Sequence, residues 1–166
     1  TEALWRQFGA AIDMLEDAIE ECPDDLWRHR LWRDGQSEVE YSEVWNVISH
    51  ALFWLDLYLS GTEEGFAPPA PFGLEELDAS GPLPPRVFTK DELLTYLRDC
   101  RNRCRATVEQ MSDGKAQALH EFGWGKVDFF ELQMYNMRHV QEHAAQLALL
   151  LGHERGIGTR WVGQVR

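Results

Sequence analysis

Two histidines on one predicted helix face have the residue type and spacing needed to bind a metal ion. His139 and His143 are four residues apart in a segment with helical periodicity. Their Cβ atoms therefore lie roughly 6 Å apart on one side of a helix. Two imidazoles at that separation can bind one ion, with each nitrogen about 2.0–2.1 Å from a zinc-like metal. The spacing predicts part of a metal site.

A third histidine, His50, lies in the most apolar part of the chain, Val47 to Leu59. A helix that is apolar on most sides is buried, and a buried imidazole is costly unless its polar atoms have partners. When three histidines bind one divalent ion, the ion is the partner for one polar nitrogen of each ring. We therefore predict that His50, His139 and His143 bind a single metal ion.

Three polar residues near these histidines are candidates to bind the cofactor or a substrate. Asn136 and Gln146 share the helix face of the histidine pair, and Asn46 precedes His50 by one turn. Each side chain could hold a metal ligand by a hydrogen bond or contact a substrate. Ordinary hydrogen bonding in the core explains each of them equally well.

The first two helices that position these residues are predicted from apolar periodicity and from the residues at their ends. Apolar residues at three- and four-residue steps predict a first helix that ends before Pro23. After a loop at Asp34-Gly35, a second helix is predicted from Ser42, as the N-cap, to Ser60. Gly61 suits the left-handed conformation that follows a helix. Because the second helix is apolar almost all round, we expect it to be the most buried.

Two further helices follow a proline-rich segment, residues 61–88, which can form neither a regular helix nor a central strand. The third helix opens with a T-x-x-E capping box at Thr89, and Gly114 is expected to close it. Asp128 opens the fourth helix in the same way, and this helix is expected to continue to Leu151. The chain therefore predicts an all-α protein, a four-helix bundle with a long proline-rich crossover between helices 2 and 3.

The size and composition of the chain set limits on its organisation and partners. Its 166 residues suit one domain, residues 1–166, although short strands are left open at 27–41 and 115–127. A net charge of −12 repels phosphate backbones and anionic lipid, so neither nucleic acid nor a membrane is an expected partner. No segment approaches the ~20 apolar residues of a membrane span, and no signal peptide is visible. Apolar helix faces are consistent with a homodimer.

The number and spacing of the cysteines indicate a reducing compartment, and two of the cysteines are expected to pack in the core. The chain has three cysteines and no C-x-x-C pair. This pattern is typical of a reducing, cytoplasmic environment. Cys100 and Cys104 continue the apolar face of the third helix, so we expect them to pack in the core.

The histidine motifs together resemble those of the DinB/YfiT-like superfamily of metal-dependent enzymes. The resemblance rests on Ser49-His50-Ala51 with Trp54 in the second helix and on the late H-x-x-x-H with Gln146 in the fourth. It covers nearly the whole chain in helix order. The resemblance implies a bundle with a long crossover and one ion, often zinc or nickel, held by three histidines. Relatives include thiol-dependent transferases and a thiol-dependent isomerase that use low-molecular-weight thiols.

The predicted metal site could activate a bound water or thiol. Three neutral ligands leave a divalent ion Lewis-acidic with an open position, at which a water or thiol loses its proton near neutral pH. Our leading hypothesis is an enzyme that activates a low-molecular-weight thiol for transfer to an electrophilic small-molecule substrate. A metal-dependent hydrolase and a non-catalytic, metal-stabilised binding module stay open as alternatives.

Two other classes of metal site fit the sequence poorly. The segment from His139 to His143 matches the H-x-x-E-H string of inverzincin proteases, but Glu142 lies about 100° round the helix from His143. A surface role is therefore expected for Glu142. Di-iron bundles require Glu-x-x-His on two helices. The residues three before the histidines are instead Val47, Asn136 and Val140.

Overall fold

Helices make up most of the computed structural model, which describes residues 1–33 and 39–166. The helices are α1 (Glu2–Glu21), α2 (Val44–Ser60), α3 (Lys90–Glu109), the single-turn α4 (Asp113–Ala116) and α5 (Phe129–Arg155). Strands β1 (Leu119–Phe122) and β2 (Gly125–Asp128) form an antiparallel hairpin before α5. The prediction of a mostly helical protein is confirmed, and the hairpin is a short-strand element of the kind left open at 115–127. The loop predicted at Asp34-Gly35 lies outside the described residues.

The long helices pack in pairs around an apolar core. Helix α1 lies against α3 and α5, and α2 lies against the same two helices. Helix α2 is buried on nearly all sides, as its apolar sequence predicts. Cys100 and Cys104 are fully buried, which confirms their predicted place in the core. None of the helices in the described ranges combines the length and apolar character needed to cross a bilayer.

Helix α2 begins later than predicted, and it ends at the predicted residue. Ser42 is not the N-cap, because α2 begins after Glu43 and the Ser42 hydroxyl accepts a hydrogen bond from Arg30 Nε at 2.7 Å. Ser42 is instead the last residue of the 3₁₀ turn Val39–Ser42, which leaves Glu43 at the N-cap position. Gly61 adopts the predicted left-handed conformation with a φ of 80°.

The ends of α3 and α5 also differ from prediction. Helix α3 ends at Glu109 and does not reach Gly114, because the Ser112 side chain caps the separate turn α4. Helix α5 continues through Gly152, and Gly156, with a φ of 66°, follows its last turn. Glycine permits a helix end without requiring one, so Gly152 is accommodated inside α5 and the predicted end at Leu151 was too early.

Aromatic rings anchor the proline-rich segment between α2 and α3. The Phe72 ring stacks on Tyr96 of α3 with centroids 4.5 Å apart and contacts Phe88 at 4.6 Å. The segment contains a 3₁₀ turn, Glu75–Leu77. This turn carries a carboxylate that reaches α2, as described below.

A buried ion pair joins α2 to α3. Asp56 is 1% exposed, pairs with Arg103 and accepts a hydrogen bond from the Tyr96 hydroxyl at 3.0 Å. We expect Arg103→Ala to lower the free energy of unfolding by about 3 kcal/mol, because the buried carboxylate then lacks an opposite charge.

A second arginine on α3 provides the control for this prediction. Arg105 forms an exposed pair with Glu109 and lies 5.5 Å from the centre of the Trp5 ring, and Arg105→Ala should cost about 1 kcal/mol or less. Urea denaturation of both variants measures the two losses. Equal losses would show that the burial of Asp56 adds nothing to its pairing energy.

Candidate metal centre

Three histidine side chains meet between α2 and α5. His50 comes from α2, and His139 and His143 come from successive turns of α5. The Nε2 atom of His139 lies 3.0 Å from Nε2 of His143 and 3.3 Å from Nε2 of His50. One ring nitrogen from each histidine lies within 4.8 Å of the other two. The structure therefore brings together the three residues predicted to bind metal.

Two buried amides hold α5 against α2 at this level. Asn136 Nδ2 donates to the Leu55 carbonyl at 3.0 Å, and Gln133 Nε2 donates to the Tyr58 carbonyl at 2.8 Å. Both acceptors are backbone atoms of α2. The two hydrogen bonds therefore fix the position of α5 along the axis of α2. They also fix the positions of the α5 histidines relative to His50.

A carboxylate from the proline-rich segment orients His50. Glu76 Oε2 accepts hydrogen bonds from His50 Nδ1 at 2.8 Å and from Trp54 Nε1 at 2.9 Å. Burial by itself would raise the pKa of Glu76, but the hydrogen bond and charge of His50, with the bond from Trp54, outweigh it and lower the pKa. Because an ionised carboxylate can only accept, His50 Nδ1 donates this hydrogen bond, and in the neutral tautomer that fits it the lone pair is on Nε2.

A hydrogen bond to Nδ1 also orients the His143 ring. Its Nδ1 lies 2.9 Å from Gln146 Oε1, so that Nδ1 donates the hydrogen bond and Nε2 keeps its lone pair. Burial, followed by the charge of His50, lowers the pKa of the His143 imidazole. The ring is therefore neutral at pH 7, which is the form that binds metal.

His139 approaches both other rings through the same nitrogen, Nε2. Burial, followed by the neighbouring His143 and His50, lowers its pKa to about 3. Its Nε2 atom faces the lone pairs of both other rings, and one N–H can satisfy only one of them. In the described part of the chain, its buried Nδ1 has no hydrogen-bond partner. Hydrogen bonds between the rings alone thus leave the cluster incompletely satisfied.

The cluster fits a divalent metal ion. Two nitrogens bound to one tetrahedral zinc-like ion lie about 3.3–3.4 Å apart, given bonds of about 2.0–2.1 Å. The observed separations of 3.0 and 3.3 Å are close to this value. The carboxylate and amide behind His50 and His143 are partners of the kind that hold metal-binding histidines in place. His50, His139 and His143 are thus the residues that would hold the ion.

A cavity of about 280 Å³ opens beside the cluster and is large enough for a small molecule. His50 and His143 form part of its wall. The remaining lining comes from the start of α2, the preceding loop and the proline-rich segment: Trp32, Tyr41, Asn46, Val47, Glu75, Glu76, Asp78, Gly81 and Pro82.

The three predicted cofactor-binding residues occupy different surroundings. Asn46 lines the cavity and donates to the Tyr41 carbonyl at 3.4 Å. Gln146 contacts His143, as described above. Asn136 is fully buried and is bonded to α2, away from the cavity lining. Glu142 is exposed and lines a groove beside α1, outside the histidine cluster.

Comparison with protein families supports the resemblance drawn from the histidine motifs. A family model described as the DinB superfamily matches residues 7–147, a range that contains all three histidines. This chain belongs to the DinB superfamily. A comparison with curated proteins gave no match. The DinB superfamily match covers α1 to α3, the hairpin and most of α5, and it ends before the C-terminal residues that pack on α1.

Glu76 is the residue of this DinB superfamily site that sequence reasoning missed. It lies 26 residues from His50 in an irregular segment. Neither helical periodicity nor motif spacing relates such a residue to the histidines. Its neighbour Glu75 has the same side chain and makes no contact with His50, so residue type alone could not have distinguished the two.

Proposed function

We propose that this protein binds one divalent metal ion, zinc or nickel, and transfers a low-molecular-weight thiol to an electrophilic small molecule. The observation that carries the proposal is the convergence of three imidazoles, from His50, His139 and His143, beside a cavity of small-molecule size. An ion held by three neutral nitrogen ligands keeps an open position and lowers the pKa of a thiol or water bound there.

In the proposed reaction, the thiol sulfur forms a bond to the electrophilic carbon. The thiol proton and the leaving group are released as the second product. Glu76 and Gln146 keep His50 and His143 in the tautomer that presents Nε2. The cavity wall, including Asn46, holds the second reactant near the histidines and limits the access of water.

We extend the proposal to the organisation of the whole chain. The paired packing of α1, α2, α3 and α5 supports a four-helix bundle with residues 61–89 as its crossover, folded as a single domain over residues 1–166. Free, buried cysteines support a reducing, cytoplasmic location. Exposed apolar side chains that support a homodimer are Trp124, Phe130 and Met134.

The test begins with elemental analysis of the purified protein, for which we expect about one equivalent of zinc or nickel per chain. Bacillithiol, mycothiol, glutathione and cysteamine are then offered with monobromobimane. At least one thiol should react about tenfold or more faster than without protein, and chelation of the metal should remove the gain.

Two outcomes separate the parts of the proposal. Bound metal without acceleration by any thiol would refute the transferase and leave the metal site intact. Metal-dependent cleavage of an activated ester under those conditions would favour the hydrolase. Absence of bound metal, even after reconstitution with zinc and nickel, would refute the site itself.

A further inference from the structure

The charged side chains described in the lining of the cavity beside the three histidines are all acidic. Glu75, Glu76 and Asp78 line it, and among the described residues neither lysine nor arginine does. Trp32 and Tyr41 add aromatic rings to the same lining. The cavity thus offers a ligand negative charge and aromatic surface together.

Two of the three carboxylates are not neutralised by the protein. Glu76 is bonded to His50 and Trp54. Within the described ranges, Glu75 forms no ion pair, and the Asp78 carboxylate accepts hydrogen bonds only from Ser80. Elsewhere, four buried or half-buried carboxylates are paired with arginines: Asp13, Glu16, Glu43 and Asp56.

The carboxylates without an arginine partner affect which ligand charge the cavity attracts. The half-buried Glu75 and the exposed Asp78 place their carboxylate groups at a cavity whose walls exclude part of the solvent. A ligand ammonium group near them gains attraction, and a ligand carboxylate meets repulsion. Aromatic side chains such as Trp32 and Tyr41 also bind alkylammonium groups through the faces of their rings.

We infer that the cavity selects a small organic cation, a molecule with an ammonium group and no carboxylate, as one reactant of the site. The inference rests on the proposed function for the premise that a reactant binds here, and it adds the charge of that reactant. Cysteamine-like thiols and amine-bearing electrophiles belong to this class. Glutathione, which has two carboxylates, is disfavoured.

The test compares three ligands of matched shape: benzyltrimethylammonium, benzyl methyl sulfone and phenylmethanesulfonate. They share a benzyl group and a compact head, and their charges are positive, zero and negative. The quaternary ammonium group has no lone pair, so its binding cannot be metal ligation. Calorimetric titration of the full chain should show the cation binding about tenfold or more tightly than the anion at low salt. The preference should decrease as salt is added.

A pair of double variants identifies the source of the preference. Glu75→Gln with Asp78→Asn removes two charges from the cavity wall and keeps the side-chain shapes. Glu63→Gln with Glu64→Gln removes two charges from exposed positions outside the cavity lining. We expect the first double variant to lose most of the preference for the cation and the second to retain it. Thermal unfolding checks that both are folded.

Three results would overturn the inference. They are equal affinity for cation and anion, no detectable binding of any of the ligands, and equal effects of the two double variants. The titrations are run on the protein as purified and again after metal removal. If the metal analysis fails while the charge preference persists in both preparations, the proposed reaction is refuted and the cation site is retained. If metal and thiol transfer are found without the preference, only the present inference fails.

Discussion

The His143→Ala variant is expected to retain less than about one-tenth of the metal bound by the unaltered protein, and its affinity should fall more than about 100-fold. His143 supplies one of three ligand atoms, and its Nε2 lies 3.0 Å from that of His139. Losing a hydrogen-bond partner of a ligand already costs roughly 10–100-fold. Loss of a ligand should cost more, because two histidines leave half of a tetrahedral ion to solvent.

Thermal unfolding provides an independent measurement of the same effect. A ligand present at about 1,000 times its dissociation constant stabilises the folded state by about 4 kcal/mol. For a chain of this size, that amount corresponds to roughly 8–16 °C in the unfolding midpoint. Chelation should lower the midpoint of the unaltered protein by about this much. The midpoint of His143→Ala should hardly respond.

His153→Ala is the matched control. His153 is an exposed histidine of α5 that lies outside the cluster. This variant should keep its metal and its response to chelation. If His143→Ala and a His50→Ala/His143→Ala double variant both retain stoichiometric metal, the ion is bound elsewhere and the three-histidine site is wrong.

The Glu76→Gln variant should bind metal roughly 10–100-fold more weakly than the unaltered protein. Glu76 accepts the proton of His50 Nδ1 at 2.8 Å, and the same oxygen accepts from Trp54. Its negative charge makes the His50 imidazole a better donor to the ion, and the bond fixes the direction of the ring. Glutamine keeps the shape but gives a weaker, neutral hydrogen bond, and its amide can also turn the wrong way.

Glu75→Gln separates this positioning role from a general effect of charge. Glu75 is the adjacent residue, carries the same charge and lines the same cavity, but it does not contact a histidine. Competition with a chromophoric chelator measures the metal affinity of both variants. The visible spectrum of the cobalt-substituted protein reports the ligand geometry. A changed spectrum and a large loss in Glu76→Gln alone support positioning of His50. Equal losses in both variants would show that Glu76 acts only through its charge.

The features of the site that sequence alone could predict depend on residues close together in the chain. Helix α5 places His139 and His143 on one side because the helical repeat puts residues four apart on the same face. The apolar residues around His50 predicted its place in a buried helix, but its own side chain is 37% exposed where it borders the cavity. The N-caps at Thr89 and Asp128 formed as predicted, since a cap requires only residues within one turn.

Some local predictions were still wrong, because other contacts competed for the same residues. Ser42 has the right type for an N-cap, but its hydroxyl accepts a bond from Arg30. Gly114 has the right type to end α3, but Ser112 starts a new turn before it. For Asn136, where a cofactor contact and an ordinary core hydrogen bond were both open, the amide donates to the Leu55 carbonyl. A tertiary partner thus decides which suitable residue is used.

By itself, the sequence determined the long helices, the burial of α2 and the presence of three candidate ligands on two of those helices. Only the tertiary structure decided that these ligands meet, since His50 and His139 are 89 residues apart and come together through the packing of α2 on α5. It also decided that Glu76 supports His50 and that the cavity is lined by unpaired carboxylates. Both depend on the path of an irregular proline-rich segment. Its contacts with distant residues fix that path, because it has no repeating hydrogen-bond pattern that a sequence period could reveal.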